Sequence, residues 1–183
     1  MRIVGGRLSG RVLQGPKKDG IRPTADRLRE SLFNILTHAY SDPVTDARVL
    51  DLFAGTGALG LEALSRGAAF TLFVDDGAEA RALIRNNVEA LGAGGTSKVY
   101  RRDATKLGPV APLEPFSLIF LDPPYGKGLA EKALPSARDG GWLTTDALIV
   151  VEEAKGAFMT PQTFEDVERR DYDDTEITFL RLK

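Results

Sequence analysis

The sequence predicts an α/β fold in which a parallel sheet carries helices on both faces. Apolar strand-like runs alternate with amphipathic helical stretches between residues 49 and 151, and this alternation is typical of parallel strands joined by crossover helices. A glycine-rich loop separates the first strand from the next helix, as in many ligand-binding α/β domains. The chain closes with two strand-like runs around a short polar turn, which predicts a terminal hairpin.

Composition limits the classes of protein that the chain can represent. At 183 residues, with 43% hydrophobic and 27% charged residues, it fits one ordinary globular domain. It has no run of about 18 uncharged apolar residues and no apolar segment near its start, so neither a transmembrane span nor a secretory signal is expected. It has no cysteine, and its single histidine, His38, cannot form a metal cluster alone. We therefore expect a cytoplasmic, metal-free monomer with residues 1–183 in one domain.

Charge is distributed unevenly along the chain. Residues 1–30 contain eight Lys and Arg against three Asp and Glu, a net charge of +5. The whole chain carries −2, so the remaining residues carry −7. A basic extension over residues 1–22, attached to an acidic body, suggests a polyanionic partner. An ordinary solvated basic surface is the alternative.

The N-terminal elements are predicted from turn residues and from helical periodicity. Gly-Gly and Ser-Gly pairs within residues 2–16 indicate a short β-hairpin. A helix is expected from Pro23, because an apolar stripe with helical spacing follows it. The stripe comprises Leu28, Leu32, Ile35, Leu36 and Ala39.

The later elements are predicted from apolar runs and the glycines or turn residues that close them. The predicted strands cover residues 49–53, 70–74, 98–102, 118–121, 148–151, 167–172 and 176–182. The predicted helices cover residues 58–66, 78–91 and 129–137.

A glycine-rich loop follows the first strand. Gly55, Gly57 and Gly60 form the pattern G-x-G-x-x-G between a predicted strand and a predicted helix, which lets backbone N–H groups approach a ligand. Asp75 ends the second strand 24 residues after Asp51, where a carboxylate can bind a ribose diol. NAD, FAD and S-adenosylmethionine all fit, and a tight turn without a ligand is the alternative. A dinucleotide enzyme is disfavoured, since the chain leaves no room for a second domain and no histidine is placed for acid–base chemistry.

Two further acids follow strands at the same edge of the sheet. Asp103 follows the third strand, where a solvated loop acid is the alternative, and Asp122 ends the fourth. Asp122 begins the motif completed by Pro123, Pro124 and Tyr125. The prolines keep the backbone extended and leave carbonyls without neighbouring N–H groups. A carboxylate, a free carbonyl and an aromatic ring together predict a receptor for a planar amine.

These motifs resemble those of amino-methyltransferases that use S-adenosylmethionine. The wider pattern resembles the RsmD family, which methylates N2 of a guanine in 16S ribosomal RNA. The resemblance covers essentially the whole chain and rests on RIVGG, SGR, RPTADRLRESLFNIL, LDLFAGTGALGLEALSRGA, FLDPPY and EITFLRLK. It implies a Rossmann-like class I methyltransferase with a seven-stranded, mostly parallel sheet, an antiparallel last strand and a small N-terminal β-hairpin.

The resemblance also implies roles for individual residues. The loop Phe53–Gly57 would wrap the methionine part of S-adenosylmethionine, Asp75 or its neighbour Asp76 would hold the ribose, and Asp103 would hold the adenine amine. The guanine would lie against the Asp-Pro-Pro-Tyr motif. The expected cofactor-binding residues are Asp51, Phe53, Gly55, Gly57, Asp75 and Asp103. The expected catalytic residues are Asp122, Pro123, Pro124 and Tyr125.

The family also gives the basic extension a partner, the phosphates of 16S rRNA. The expected RNA-binding residues are Arg7, Arg11, Lys17, Lys18 and Arg22. The expected substrate is the assembled small subunit; free rRNA is the alternative, and the target nucleotide and any general base stay open. Rival hypotheses are a DNA adenine or cytosine amino-methyltransferase, a protein-glutamine methyltransferase and a non-catalytic RNA-binding module.

Overall fold

The computed structural model describes residues 1–16 and 23–183. Its α-helices are α1 (Pro23–Ala39), α2 (Ala58–Ser65), α3 (Ala78–Ala90) and α4 (Leu129–Asp139). Its strands are β1 (Arg48–Leu52), β2 (Phe70–Val74), β3 (Ser97–Tyr100), β4 (Phe116–Leu121), β5 (Leu143–Ala154), β6 (Phe164–Tyr172) and β7 (Thr175–Leu182).

The strands form one seven-stranded sheet in the order β3-β2-β1-β4-β5-β7-β6. Strand β7 runs antiparallel to both of its neighbours, β5 and β6, whereas the other neighbouring pairs are parallel. The predicted α/β class, the mostly parallel sheet and the antiparallel last strand are therefore confirmed. The strand order reverses between β1 and β4, and a crevice opens at the carboxyl ends of the strands where such a reversal occurs.

The central strands are apolar on both sides, so the sheet is covered on both faces. Leu50 and Ile119 face the side that α4 covers. Val49 and Leu118 face the side that α1 covers. All four are fully buried. Strands with two buried faces are near-continuous apolar runs, which makes residues 118–121 the clearest strand signal in the sequence.

Helix α1 lies on the sheet through a face wider than the predicted stripe. Phe33 is fully buried, with its ring centroid 5.7 Å from that of Phe120. The ring of Tyr40 stacks on Phe179 at a centroid distance of 4.8 Å. The predicted stripe omitted Phe33 and included Ala39, which is exposed. The buried face therefore includes position 33 and reaches Leu36, but not Ala39.

The N-terminal segment, residues 1–16, packs against the body of the protein. The predicted hairpin is small, since a single antiparallel bridge joins Arg2 and Val12. Ile3, Leu8 and Leu13 are buried in a core cluster that they share with α2 and α3. The described part of the basic extension is thus folded onto the sheet-bearing body.

Glu62, in the middle of α2, anchors this segment. Its Oε1 accepts a hydrogen bond from the N–H of Val4 at 3.0 Å, and its Oε2 accepts one from Gly5 at 2.9 Å. Arg29 Nε donates to Oε1 at 3.0 Å, and Arg66 Nε donates to Oε2 at 2.8 Å. The Glu62 and Arg29 side chains are only 0% and 4% exposed. One buried carboxylate, with its hydrogen-bonding capacity used, therefore joins the segment to α1 and α2.

Two more side chains fasten the segment farther along. Ser65 Oγ accepts a hydrogen bond from the N–H of Leu8 at 2.9 Å. Asn87 Oδ1 accepts one from the N–H of Gln14 at 2.7 Å. The Asn87 amide also donates to the carbonyls of Gln14 and Thr56 at 3.0 and 2.9 Å. Because Thr56 belongs to the glycine-rich loop, Asn87 links the N-terminal segment to that loop.

Several strand boundaries differ from the prediction. Strand β5 begins at Leu143 and β6 at Phe164, several residues before the predicted starts at 148 and 167. The added residues include the exposed polar side chains Thr145 and Asp146. Such residues interrupt the apolar sequence pattern but not the backbone hydrogen bonds between strands. The periodicity of the sequence therefore cannot locate the ends of these strands.

Candidate active site

A cavity of about 400 Å³ lies at the carboxyl edge of the sheet, where the strand order reverses. The glycine-rich loop forms one wall, and Leu28 and Leu32 of α1 form an apolar wall. Three carboxyl groups also line it, those of Asp51, Asp122 and Glu152. Ligands of open α/β sheets bind at such a position, and the volume is that of a small-molecule site.

The glycine-rich loop combines ligand-facing and packing positions. Gly55 and Gly57 have φ angles of 60° and 80°, and Phe53 has a φ of 57°, a left-handed region in which glycine is unstrained. Gly60 serves packing, because a Cβ built there would lie 2.5 Å from Phe73 and 2.7 Å from Thr71 on β2. The glycine pattern therefore contains two glycines for the turn and one for close contact between α2 and the sheet.

Asp51 is buried beneath this loop. Its Oδ2 accepts a hydrogen bond from the N–H of Gly60 at 3.0 Å, and the residue is 1% exposed. Burial raises the pKa of Asp51 to about 8, with a further increase from the charge of Asp75, while the Gly60 N–H opposes the shift. A buried acid of this kind holds its negative charge more easily when a cation lies beside it.

We expect Asp51→Asn to stabilise the ligand-free protein at pH 8 more than at pH 5. The folded-state pKa lies above the ordinary value of 3.8, so wild-type stability falls as pH rises from about 4 to about 8. Asparagine keeps an acceptor for the N–H of Gly60 and removes this pH dependence. The variant should therefore gain about 2–5 kcal/mol more in free energy of unfolding at pH 8 than at pH 5. Urea unfolding of both proteins at the two pH values measures it. Asp139→Asn, on an exposed acid, is the control, and an equal gain at both pH values would contradict the assignment.

Three predicted acids meet around a smaller cavity of about 30 Å³ beside the first. Its lining includes Asp75, Asp76, Asp103 and Phe53, and Phe53 lines the larger cavity as well. Asp75 accepts hydrogen bonds from the N–H groups of Gly55 at 3.0 Å and Gly77 at 2.9 Å. Asp75 is partly buried and Asp76 is exposed, so Asp75 is the better-fixed acid of the pair.

Asp103 is exposed, and hydrogen bonds within its own turn hold its side chain. Its Oδ1 accepts hydrogen bonds from the N–H and the hydroxyl of Thr105 at 2.9 and 2.7 Å. The hydroxyl hydrogen bond, followed by the backbone one, holds the pKa of Asp103 below its usual value. An ionised acceptor therefore stands at the end of β3, next to the smaller cavity.

The Asp-Pro-Pro-Tyr segment leaves β4 at the mouth of the larger cavity. Asp122 lines the cavity, while Pro123 is buried and Pro124 exposed. Tyr125 is 43% exposed. Its hydroxyl donates to Glu152 Oε1 at 2.7 Å and lies 3.2 Å from the Thr175 hydroxyl. The hydroxyl is held while part of the ring remains accessible, which suits a stacking surface.

Sequence reasoning missed two acids at the end of β5. Glu152 bonds to Tyr125, and Glu153 Oε1 accepts a hydrogen bond from the N–H of Gly126 at 2.9 Å. Both therefore shape the loop that carries Tyr125. The signal was present, because each follows the apolar run 148–151 just as Asp122 follows its own strand.

Asp122 and Glu152 form a carboxyl pair. Leu121 of β4 pairs with Val151 of β5, so the next residues, Asp122 and Glu152, are neighbours across the two strands, and both line the larger cavity. Burial raises the pKa of Asp122 well above its ordinary value, and the charge of Glu152 raises it further. Burial also raises the pKa of Glu152. Because the charge of Glu152 disfavours a second charge on Asp122, both carboxyls are ionised only at a pH above the ordinary range of an aspartate.

The predicted RNA-binding residues fall into two groups. Arg7 and Arg11 are exposed, and one Arg11 guanidinium nitrogen donates to the carbonyl of Ala90 at 2.6 Å. Lys17, Lys18 and Arg22 lie outside the described residues. The cavity lining includes Met1, Gly15 and Pro16, so the described segment that carries Arg7 and Arg11 also borders the cavity.

Within residues 1–16 and 23–183, no three His, Asp or Glu side chains are grouped so as to hold a metal ion. Across the same part of the chain, none of the helices combines the length and the apolar character needed to cross a membrane.

Comparison with known proteins gives consistent matches. A family model described as Conserved hypothetical protein 95 matches residues 1–181. The Escherichia coli K12 protein named Ribosomal RNA small subunit methyltransferase D is 44% identical over 153 residues, covering 83% of this chain and 74% of that protein. The Haemophilus influenzae protein of the same name is 34% identical over 167 residues, covering 90% and 84%. The solved structure of Escherichia coli yhhF matches with a TM-score of 0.83 and 34% identity, covering 100% of this chain and 98% of that one.

Proposed function

Because this chain belongs to the RsmD family, we propose that it is an rRNA methyltransferase that transfers a methyl group from S-adenosylmethionine to the exocyclic N2 of a guanine in 16S rRNA. The observation that supports this most is the position of the Asp-Pro-Pro-Tyr segment. Asp122 lines a cavity walled by the glycine-rich loop, and the partly accessible Tyr125 is hydrogen-bonded to Glu152 of the same cavity.

The cavity residues fit S-adenosylmethionine. This cofactor carries a positive sulfonium and a positive ammonium group, and the buried carboxyl of Asp51 lines the cavity beneath the glycine-rich loop. Gly55 and Gly57 let the loop approach its methionine part. Asp75 would hold the ribose hydroxyls and Asp103 the adenine amine at the smaller cavity. When bound, the cofactor would supply an electrophilic methyl group.

The protein's own residues bind and orient the amine. The guanine leaves its stack to enter the site, at a free-energy cost of a few kcal/mol, which stacking on Tyr125 helps to offset. Asp122 and the carbonyl of Pro123 accept the two hydrogens of the amine. This holds the nitrogen lone pair toward the methyl group, so catalysis rests mainly on positioning. The carboxyl pair is the nearest group that can receive the amine proton after transfer.

The basic residues supply affinity without reading sequence. Arg7, Arg11, Lys17, Lys18 and Arg22 would neutralise rRNA phosphates. Because the N-terminal segment borders the cavity, phosphates bound along it would lead a nucleotide toward Tyr125. The net charge of residues 1–30 is only +5, so contacts to phosphates alone would bind RNA weakly and contacts to ribosomal proteins would have to add affinity. We therefore infer that the assembled small subunit is a better substrate than free 16S rRNA.

Transfer of labelled methyl from S-adenosylmethionine tests the proposal. The substrates are small subunits and free 16S rRNA from a strain without its own enzyme, and digested RNA is analysed for the modified nucleoside. We expect N2-methylguanosine at one site, with faster labelling of the subunits. No label on either RNA, from protein that binds S-adenosylmethionine, would overturn the proposal; equal labelling would overturn only the preference for the assembled subunit.

The pH dependence of transfer is expected to follow the carboxyl pair. Only an ionised Asp122 accepts amine hydrogens, and its pKa is raised by burial and by Glu152. As the pH is lowered, the rate of methyl transfer should therefore begin to fall at a pH well above 4, the region in which an ordinary aspartate titrates. Glu152→Gln removes a neighbouring charge, so the acid limb, scaled to each protein's own maximum, should move to lower pH.

Single-turnover rates between pH 5 and pH 9 measure this limb without interference from product release. Circular dichroism at each pH checks that both proteins stay folded. An acid limb that stays in place or moves to higher pH in the variant would show that Glu152 does not raise the pKa of Asp122.

A further inference from the structure

The position of Glu152 in the cavity also allows it to contact the substrate base. Strands β4 and β5 are parallel neighbours, with Leu121 paired to Val151. The next residues along the two strands are Asp122 and Glu152, so the register delivers two carboxyls side by side. Both line the larger cavity.

The surroundings of Glu152 keep it pointed toward the base site. Its Oε1 accepts a hydrogen bond from the Tyr125 hydroxyl at 2.7 Å, and its neighbour across the paired strands is Asp122. Among the described residues no ion pair involves Glu152, and the buried Arg29 beside the cavity is paired with Glu62 and Asp26. A base that stacks on Tyr125 therefore meets two adjacent acceptors.

The pairing edges of the amine-bearing bases differ in what they offer to two acceptors. Guanine presents two neighbouring donors, the N2 amine and N1–H. Adenine and cytosine present an amine beside an unprotonated ring nitrogen, which is an acceptor. A carboxylate has no hydrogen to donate, so an adenine or cytosine in this site would face one carboxylate with a lone pair. Buried polar groups left unpaired are what allow a site to reject an analogue strongly.

We propose that Glu152 is the specificity-determining residue that selects guanine by accepting its N1–H, while Asp122 accepts the N2 amine. The inference rests on the proposed function, because it concerns the base at that same site. It adds a reason for the choice of guanine over the amines of adenine and cytosine, which the Asp-Pro-Pro-Tyr segment alone would accept equally well. Glu152 is then a substrate contact as well as a partner of Tyr125.

The test compares guanine with 2-aminopurine, which keeps the amine at C2 but has no hydrogen on N1. The target nucleotide is first mapped on small subunits. Subunits are then reconstituted with ligated 16S rRNA carrying either base at that position. We expect wild-type protein to methylate guanine roughly 10- to 100-fold faster, the effect of a hydrogen bond to a charged group. In Glu152→Gln the amide can donate to N1, so the ratio should fall to near 1 or reverse.

Tyr125→Phe is the matched control for the structural role of Glu152. It removes the hydroxyl that Glu152 binds and keeps the ring, so transfer should slow for both bases while the preference for guanine remains. If Tyr125→Phe loses the preference as fully as Glu152→Gln does, Glu152 acts only by holding Tyr125 and the inference fails.

The possible outcomes distinguish a failure of the role of Glu152 from a failure of the proposed function. Wild-type protein that methylates neither base would overturn the proposed function. Wild-type protein that methylates guanine N2 and 2-aminopurine equally well would overturn only the role of Glu152, and this result does not depend on any variant folding. A Glu152→Gln protein that keeps the wild-type preference would do the same.

Discussion

Asp122→Ala is expected to lower the rate of methyl transfer by about 1000-fold while the protein still binds S-adenosylmethionine. The carboxyl of Asp122 is aimed into the cavity at the end of β4. Its removal leaves the amine without the acceptor that orients it and stabilises its developing positive charge, and losing one such group typically slows catalysis by 10²–10³. The cofactor-binding residues, on the glycine-rich loop and at the ends of β2 and β3, are untouched.

Two measurements distinguish this result from misfolding. Calorimetry with S-adenosylmethionine should give a dissociation constant within a few-fold of wild type, and single-turnover transfer to small subunits should give the loss in rate. Asp139→Ala, on the exposed end of α4, should leave both unchanged. An Asp122→Ala protein with wild-type transfer would remove Asp122 from the mechanism.

Glu62→Ala should produce the largest loss of stability outside the apolar core. The substitution leaves the guanidinium of Arg29, which is 4% exposed, without its main partner. It also leaves the N–H groups of Val4 and Gly5 without acceptors. Breaking a buried ion pair from one side costs about 3–5 kcal/mol, which in a chain of this size lowers the melting temperature by roughly 10 °C.

A double variant tests the physical reason for that loss. Arg29→Met combined with Glu62→Leu leaves neither charge buried alone, so the double variant should be more stable than Glu62→Ala. Glu89→Ala, on the exposed face of α3, is the control and should change unfolding by less than about 0.5 kcal/mol. If Glu62→Ala unfolds at the same urea concentration as the control, the network contributes little.

The residues that sequence predicted well are those whose signal is local. Asp122 ends an apolar run and is followed by two prolines, so both its position at the sheet edge and its extended backbone follow from neighbouring residues. The glycine pattern is likewise contiguous. The sequence pattern could not show, however, that Gly60 is needed for packing. The atoms that would clash with a Cβ at position 60 belong to Thr71 and Phe73 on β2.

The residues that sequence missed depend on pairing between distant segments. Glu152 becomes a neighbour of Asp122 only through the register of β4 with β5. Glu62 looks like an ordinary helix acid, since the partners that justify its burial include Val4 and Arg29, 58 and 33 residues away. The positive charge of the N-terminal segment could be counted from the sequence. Its attachment to the body could be recognised only from these contacts in the structure.

The anchoring of the N-terminal segment also sets an order of events during synthesis. The N–H groups of Val4, Gly5 and Leu8 are bonded by side chains that lie 57 or 58 residues later in the chain. At translation rates of about 5–20 residues per second, those partners follow roughly 3–12 seconds later. Residues 4–8 must therefore wait for α2 to be synthesised. The wall that Met1, Gly15 and Pro16 give the cavity forms only after the glycine-rich loop exists.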